Sequence, residues 1–283
     1  MNRRRKGRLA RLPRAYRRSR RLLLRHLPLS PHTALRHDPA APELLLSPHW
    51  DDAVLGCWGL LASDRELLVL NVFAGLPAPG RRGVWEQVSR ARDSRERAQM
   101  RMAEDREAIG IAGREPINLP LLEVGYRRKR RAAATSAIDR AACEAVPGQR
   151  VSRVYAPAAI GGHADHLLVR AWALALLRDA GIPVELYAEP PYCVFHGWPA
   201  WVDGGEADPA RDVDAYWRSF LAGVPELPDL RAATIVRLDA AAASAKLSAI
   251  ERYRASLNLG ARKLLAEPSF HALEVRWTLV DDR

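Results

Sequence analysis

The sequence predicts an α/β fold in which a mostly parallel sheet is covered by helices on both faces. Short, almost wholly apolar segments typical of buried strands alternate along the chain with longer segments of helical periodicity. The 283 residues, of which 48% are hydrophobic and 27% are charged, are enough for one large domain with its own core. Both observations favour a layered α/β domain.

The first half of the chain supplies three predicted strands, each followed by a predicted helix. In chain order they are a strand at Glu43–Ser47, a helix at Ala53–Ser63, a strand at Glu66–Phe73, a helix from Trp85 to Ile111, a strand at Ile117–Leu121 and a helix from Arg128 to Ala145. Segment 76–83, rich in Pro and Gly, separates the second strand from the next helix, and Pro147 with Gly148 ends the last helix.

The second half continues the alternation and then becomes irregular. It contains a strand at Val151–Pro157, a helix at His166–Ala180, a strand at Val184–Ala188, loops and short helices from Pro190 to Pro228, a helix at Ala240–Leu257 and a strand at Leu273–Val280. In open α/β sheets, ligands bind outside the carboxyl ends of the strands. We therefore expect the site after the strands that end at Ser47 and Pro157.

The net charge of +11 is concentrated at the beginning of the chain. Residues 1–26 hold twelve of the 44 Lys and Arg residues and no acid, which leaves 32 basic and 33 acidic residues in the other 257. The folded part, expected at residues 43–283, therefore offers no basic surface for nucleic acid. For residues 1–42 we expect a basic, flexible leader and linker, either solvated or in weak contact with an anionic membrane or nucleic acid.

The cysteines and the hydropathy of the chain bear on its compartment. Cys57, Cys143 and Cys193 are far apart and form no C-x-x-C motif, so neither a disulfide framework nor a cysteine zinc site is predicted. The chain has no run of about 18 apolar residues, the length that a membrane-spanning helix requires. We expect a reducing, cytoplasmic location.

Two short clusters of His and Asp follow the two strands named above. They are S-P-H-W-D-D at Ser47–Asp52 and G-G-H-A-D-H at Gly161–His166, and they hold three of the eight histidines. Catalytic zinc takes three protein ligands from His, Asp and Glu and leaves a fourth position open. Of two adjacent aspartates, one can bind the metal while the other accepts a proton from the attacking water. In the alternative interpretation, Asp51 or Asp52 caps a helix and His166 packs in the core.

These clusters resemble the motifs of a known family. The sequence P-H-W-D-D-A-V-L-G-C is similar to the P-H-P-D-D-E-x-L-G-C signature of the GlcNAc-PI de-N-acetylase family (PIG-L, or LmbE-like), and G-G-H-A-D-H resembles its H-x-D-H motif. Weaker similarities are N-V-F-A-G at 71–75, R-x-x-E-D at 101–105, E-V-G-Y-R at 123–127 and K-L-S-A-I-E-R-Y at 246–253. Together they cover about residues 43–257. The resemblance implies a Rossmann-like three-layer sandwich and a zinc-dependent deacetylase.

The resemblance also implies roles for individual residues. The metal ligands would be His49, Asp52 and His166, with one Zn²⁺ per chain, although other divalent cations remain open. Asp51 would be the general base, and His163 would be the general acid that stabilises the oxyanion and assists the departing amine. Asp165 would orient His163. Arg101 and Glu123 would contact sugar hydroxyls.

Two residues depart from the family motif. Ala53 stands where the family has Glu, which removes a carboxylate that could support a metal ligand. Trp50 replaces the usual Pro, and either forms a pocket wall that favours an apolar substrate portion or packs against the loop. We count Trp50 with Arg101 and Glu123 as a candidate substrate-binding residue.

The expected function is hydrolysis of the acetyl group of an N-acetylated amino sugar or glycoconjugate. Two alternatives remain open. One is an amidase that acts on a non-sugar N-acyl natural-product intermediate, with the aromatic residues of segment 190–217 as an apolar wall. The other is an inactive family member that binds a partner through its basic leader. The sequence leaves the oligomeric state open.

Overall fold

The computed structural model describes residues 33–127, 135–206, 209–227 and 229–280. Its strands are β1 (Arg36–His37), β2 (Glu43–Ser47), β3 (Leu67–Asn71), β4 (Pro116–Asn118), β5 (Arg150–Val151), β6 (Val154–Pro157), β7 (Val184–Tyr187), β8 (Thr234–Arg237) and β9 (Leu273–Thr278). Its α-helices are α1 (Asp52–Leu61), α2 (Val84–Val88), α3 (Ser94–Gly110), α4 (Thr135–Ala145), α5 (Ala164–Ala180), α6 (Ala200–Asp203), α7 (Val213–Leu221), α8 (Ala240–Ile250), α9 (Leu259–Ala266) and α10 (Pro268–His271).

Seven of these strands form one sheet in the order β4-β3-β2-β6-β7-β9-β8. The first five strands of this order are parallel, and β9 runs antiparallel to both β7 and β8. The short strands β1 and β5 pair separately and in parallel. The predicted α/β fold with a mostly parallel sheet is confirmed.

The apolar strands supply two cores, one on each face of the sheet. In β2, Leu44 and Leu46 belong to one buried cluster and Leu45 belongs to the other, because successive side chains of a strand point to opposite faces. The first cluster includes residues of α4, α5 and α7, and the second includes residues of α1, α3 and α8. This arrangement is the predicted three-layer sandwich.

The helix predicted from Trp85 to Ile111 is wrong in its continuity, because the chain forms α2 and α3 there with a break between them. Arg90 lies in the break with φ of 60°, a left-handed conformation that ends a helix. Asp93 then caps α3, since its carboxylate accepts hydrogen bonds from the N–H groups of Arg95 at 2.9 Å and Glu96 at 3.0 Å. The break makes α2 a separate helix, and its residue Trp85 lines the cavity of the candidate site described below.

The end of the chain also differs from the prediction. The helix expected through Leu257 stops at Ile250. The following backbone is held by α3 instead, because the Glu104 carboxylate accepts hydrogen bonds from the N–H groups of Ala255 at 2.7 Å and Ser256 at 3.2 Å. Strand β8 is an edge strand that the sequence analysis missed.

Part of the expected linker is ordered in the described region. Leu35 is buried in the core, and β1 follows it. The basic residues 1–26 lie outside the described residues, as does the start of the helix expected from Arg128, whose described part is α4. In the part of the chain that the structure describes, no helix combines the length and apolarity of a membrane span.

Candidate metal centre and active site

The two His and Asp clusters meet at one edge of the sheet because the strands before them are neighbours. Strands β2 and β6 pair in parallel, so Ser47 and Pro157 end at the same edge. The chain order reverses between these two strands, since β3 and β4 lie on one side of β2 and β7 lies beyond β6. Such a reversal opens a crevice outside the carboxyl ends of the strands. Segments 48–52 and 161–166 line this crevice, as predicted.

The three predicted metal ligands, His49, Asp52 and His166, converge on one point. His49 Nδ1 lies 3.3 Å from Asp52 Oδ2 and 3.3 Å from His166 Nε2, and His166 Nε2 lies 3.4 Å from Asp52 Oδ2. The three atoms therefore form a nearly equilateral triangle. All three residues are buried, although the segments that carry them are more than a hundred positions apart in the chain.

The other ring nitrogen of each of these histidines contacts a buried carboxylate. His49 Nε2 lies 3.0 Å from Asp165 Oδ2, and His166 Nδ1 lies 3.2 Å from Glu189 Oε1. Histidines that bind metals almost always have such a partner, which fixes the ring so that the free nitrogen faces the ion. Glu189 was not among the residues predicted from the sequence. The signal was available, because Glu189 follows the predicted strand 184–188 and so lies at the same edge of the sheet.

The turn before α1 is fixed by local hydrogen bonds. Ser47 Oγ donates to the carbonyl of His49 at 2.6 Å and accepts the N–H of Ala53 at 3.0 Å. The N–H of His49 donates to Asp52 Oδ2 at 2.9 Å. Asp51 occupies the N-cap position, yet its side chain makes no capping hydrogen bond. Its carboxylate lines the cavity instead, which goes against the interpretation of Asp51 as a helix cap.

The two adjacent aspartates have opposite pKa shifts. Burial, and after it the negative charge of Asp52, raises the pKa of Asp51 to about 6. Burial acts in the same direction on Asp52, but the neighbouring His166 and His49 outweigh it and lower the pKa of Asp52 to about 2. Asp52 is thus an anion at every physiological pH, whereas Asp51 exchanges a proton close to neutrality.

The three histidines also differ in pKa. Burial lowers the pKa of His166 to about 3 and, together with the charge of His49, lowers that of His163 to about 4. For His49, burial is outweighed by hydrogen bonds to Asp165 and Asp52, which raise its pKa to about 10. Of the three rings, only His49 has neighbours that favour its protonated form, with a proton on Nδ1 beside Asp52 Oδ2. A divalent cation bound there would replace this proton.

Asp165 does not contact His163 in the predicted way. Its carboxylate accepts hydrogen bonds from the N–H of Val124 at 2.9 Å and from the guanidinium of Arg127, besides its contact with His49. The link to His163 runs through the backbone, because the N–H of Asp165 donates to His163 Nδ1 at 3.3 Å. This bond leaves the proton of the neutral His163 ring on Nε2. The prediction that the carboxylate orients His163 is therefore corrected to a role at His49.

A cavity of about 610 Å³ opens from the convergent atoms to the surface. His49, Asp51, Asp52, His163 and Asp165 line its inner end. Arg101 and Glu123, both predicted to contact substrate, line its wall and form an ion pair of 2.7 Å. One ring nitrogen from each of His49, His163 and His166 lies within 4.8 Å of the others, so these three histidines are a second candidate set of metal ligands.

Trp50 does not line the cavity described here. It is only 1% exposed, and its Nε1–H donates to Asn118 Oδ1 at 3.0 Å. The Arg101 guanidinium lies over its ring, 4.9 Å from the centroid. The prediction of direct substrate contact is thus corrected, because Trp50 packs behind Arg101 and supports it.

The fold and the convergent histidines and carboxylates define the class of protein, an α/β domain with a candidate catalytic metal site at the carboxyl edge of its sheet. Residues 44–177 match the family model described as PIG-L, GlcNAc-PI de-N-acetylase. This stretch, just under half of the chain, is similar to that family and contains both of the motifs on which the predicted resemblance rests.

Among curated proteins, the chain is similar to the 2′-N-acetylparomamine deacetylase of Streptomyces fradiae. The two are 30% identical over 164 residues, which cover 53% of this chain and 57% of the relative. The match therefore spans little more than half the length of that relative.

Solved structures of deacetylases share the fold. A triple mutant of a deacetylase from the teicoplanin biosynthetic pathway aligns with 86% of this chain and 100% of its own, with a TM-score of 0.65 and 23% identity. The A40926 pseudoaglycone deacetylase aligns with 86% of this chain and 98% of its own, with a TM-score of 0.62 and 23% identity. A zinc-inhibited form of teicoplanin deacetylase has a TM-score of 0.61 and 22% identity, and covers 85% of this chain and 99% of its own.

Proposed function

We propose that this protein is a metal-dependent N-deacetylase that hydrolyses the acetamide of an N-acetylated amino sugar, with zinc as its ion. The observation that carries the proposal is the orientation of His49 and His166. Each ring has one nitrogen on a buried carboxylate and the other within 3.3 to 3.4 Å of Asp52 Oδ2 and of the facing ring. Purely structural histidines have no reason to turn their nitrogens to a common point beside a carboxylate.

The donor atoms fit a tetrahedral ion. Bonds of about 2.0–2.1 Å in a tetrahedron place neighbouring ligand atoms about 3.3–3.4 Å apart, which matches the triangle of His49 Nδ1, Asp52 Oδ2 and His166 Nε2. Two imidazoles and one carboxylate are also a typical donor set for catalytic zinc. This fit favours Asp52 over His163 as the third ligand, and it leaves His163 free at the cavity wall.

His49, Asp52 and His166 would hold the ion, which would supply a Lewis acid for the carbonyl and for the attacking water. Asp51 accepts a proton from the attacking water, for which its pKa near 6 is suited. His163, neutral with its proton on Nε2, donates a hydrogen bond to the oxygen of the tetrahedral intermediate. When the C–N bond breaks, Asp51 returns the proton to the departing amine, and acetate is the second product. This step replaces the expected role of His163 as general acid, because burial and the charge of His49 lower the pKa of His163 to about 4.

The sugar ring is assigned to the wall beside the inner end of the cavity. Arg101 and Glu123 form an ion pair there, and Trp50 packs behind Arg101. Such a fixed pair presents both donors and acceptors, which suits vicinal hydroxyl groups. The Streptomyces fradiae relative is a deacetylase of 2′-N-acetylparomamine, which supports the same substrate class.

Metal analysis combined with an acetate-release assay tests the proposal. The purified protein is expected to hold about one zinc per chain and to release acetate from N-acetylglucosamine derivatives. Removal of the ion by a chelator should abolish turnover, and added Zn²⁺, Co²⁺ or Mn²⁺ will show which ion restores it.

The variant His166→Ala should lose most of its metal and its activity, whereas His37→Ala, at an exposed histidine of β1 outside the cavity lining, should keep both. Full zinc content in His166→Ala would refute the ligand assignment. Acetate release that survives complete removal of metal would refute the metal-dependent function itself.

A further inference from the structure

The exposed apolar side chains of this protein are concentrated around the cavity mouth. Seven large hydrophobic side chains are exposed among the described residues. Three of them, Trp85, Val124 and Phe195, line the cavity, and Val84 and Val88 lie on the same helix as Trp85. Trp85, 49% exposed, and Phe195, 64% exposed, line the cavity directly and come from two different segments, α2 and the loop after β7. Exposed apolar residues scattered singly need no explanation, but a cluster at a cavity indicates a binding surface.

Trp85 is exposed on a firmly anchored element. Its neighbour Glu86 is buried, accepts the Tyr126 hydroxyl at 2.6 Å and accepts the N–H of Gly83 at 2.6 Å. The Trp85 ring also packs against the guanidinium of Arg97, 5.5 Å from the ring centroid. The anchored helix α2 therefore holds the indole at the mouth rather than burying it.

Tyr192 continues the apolar surface from the mouth to the histidines. Its ring centroid lies 5.2 Å from that of His166 and 5.9 Å from that of His163, and the residue lines the cavity together with Phe195. Gly161 makes room for Tyr192, because a Cβ on this glycine would lie 2.9 Å from Tyr192 Cβ. We call Trp85, Tyr192 and Phe195 the aromatic rim.

The charges in the cavity do not suit a polycationic ligand. Of its acidic lining residues in the described chain, Asp51, Asp52 and Asp165 lie beside the histidines at the inner end, and Glu123 is neutralised by Arg101 at 2.7 Å and Arg97 at 3.8 Å. Both arginines are buried and always charged. An ammonium group in the outer cavity would meet apolar side chains and these two cations.

We propose that the substrate is an amphiphilic glycoside whose apolar aglycone lies against the aromatic rim while its N-acetylated sugar lies at the inner end of the cavity. This inference rests on the proposed deacetylase function and narrows it to one substrate class. An apolar aglycone in contact with Trp85 and Phe195 is removed from water by these side chains. Outside the inner end, the one carboxylate among the described lining residues is Glu123, which is already paired with two arginines, so a polycationic aminoglycoside is disfavoured.

The test compares acetate release from three probes, which are N-acetylglucosamine, its octyl β-glycoside below the micellar concentration, and 2′-N-acetylparomamine. Burial of two to three methylene groups corresponds to about 10- to 60-fold, so kcat/KM for the octyl glycoside should exceed that for the free sugar by this factor. The aminoglycoside should be hydrolysed less efficiently than the octyl glycoside. In Trp85→Ala and Phe195→Ala, the preference for the octyl glycoside should fall towards one.

Ile111→Ala is the matched control, because Ile111 is an exposed large apolar residue outside the cavity lining, and it should keep the full preference. Both rim residues are well exposed, so unchanged thermal unfolding midpoints are expected and verify that the variants fold. Acetate release without an octyl preference, a preference that survives both rim substitutions, or a preference for the aminoglycoside would overturn the substrate class while leaving the deacetylase function intact. No acetate from any probe would instead refute the proposed function.

Discussion

Two clusters of buried charged side chains lie at the two ends of helix α1. The polar atoms of the first cluster converge on one point, whereas those of the second contact one another and the helix backbone. At the first turn of α1, His49, Asp52 and His166 direct one atom each to a shared point. At its last turns, Glu274 accepts hydrogen bonds from the N–H groups of Trp58 at 2.5 Å and Gly59 at 3.0 Å and from Lys246 Nζ at 2.8 Å.

The second cluster satisfies backbone groups at a distortion of α1. Cys57 departs from helical geometry, with φ of −140° and ψ of 32°, and so frees the N–H groups of the two following residues. Glu274 satisfies both, and Lys246, which is completely buried, neutralises it. The polar atoms of Lys246 and Glu274 therefore contact each other and the backbone of α1. A buried ionic cluster whose groups satisfy one another stabilises a fold, whereas one whose free nitrogens converge is prepared for a ligand.

The largest effect is expected at Asp51, and Asp239, another aspartate at an N-cap position, is its matched control. Asp51→Ala should lower kcat by about 10²- to 10⁴-fold with metal content retained, because it removes the proposed general base. Asp239 caps α8 by accepting the N–H of Ala242 at 2.8 Å, so Asp239→Ala should cost about 0.5–2 kcal/mol of stability and leave kcat unchanged. Steady-state kinetics and urea unfolding separate the two outcomes. Normal turnover in Asp51→Ala would remove this residue from the mechanism.

The next effect concerns the structural cluster. Lys246→Met leaves the buried Glu274 without its counter-charge, and removal of one partner from a buried pair typically costs about 3–5 kcal/mol. The free energy of unfolding should fall by this amount, while the folded variant keeps its zinc content and its kcat. Loss of metal from correctly folded Lys246→Met would show that the two ends of α1 are coupled, and the second cluster would then not be purely structural.

The smallest effect is expected from a carboxylate that supports a ligand. Asp165→Asn weakens the bond to His49 Nε2 and should reduce metal affinity by about 10- to 100-fold without unfolding the protein. Asp139 is a suitable control, because it is also buried and accepts Trp172 Nε1–H at 2.9 Å in the other layer. Competition with a chelating dye measures the affinity of each variant. Equal affinities in Asp165→Asn and the parent would contradict the role assigned to Asp165.

Much of the fold followed from local pattern. The apolar segments of β2, β3, β6 and β7 were recognisable because strands buried on both faces are continuously hydrophobic. The break between α2 and α3 was missed, since a charged, helix-favouring segment hides a left-handed residue such as Arg90. Strand β8 was missed because its edge position leaves its residues partly exposed and removes the apolar signal.

Some residues of the candidate site were also predictable from the sequence, and others were not. His49, Asp52 and His166 were found because they lie in two dense motifs directly after strands, and the topological rule brings such segments together. Glu189 was missed because it is a single acidic residue in its segment, and Arg127 was missed because it is the first of five consecutive basic residues. Only the contacts with His166 and Asp165, respectively, give these two residues a part in the site.

The sequence by itself determined the layered α/β architecture and the chemistry of the ligands, because both depend on residue type and on short-range order along the chain. Only the tertiary structure decided which nitrogen of each histidine faces the shared point, which carboxylate supports it, and that Trp50 packs behind Arg101 while Trp85 lines the mouth. The physical reason is that orientation and burial are set by contacts between residues far apart in the chain, and these contacts leave no mark on local composition.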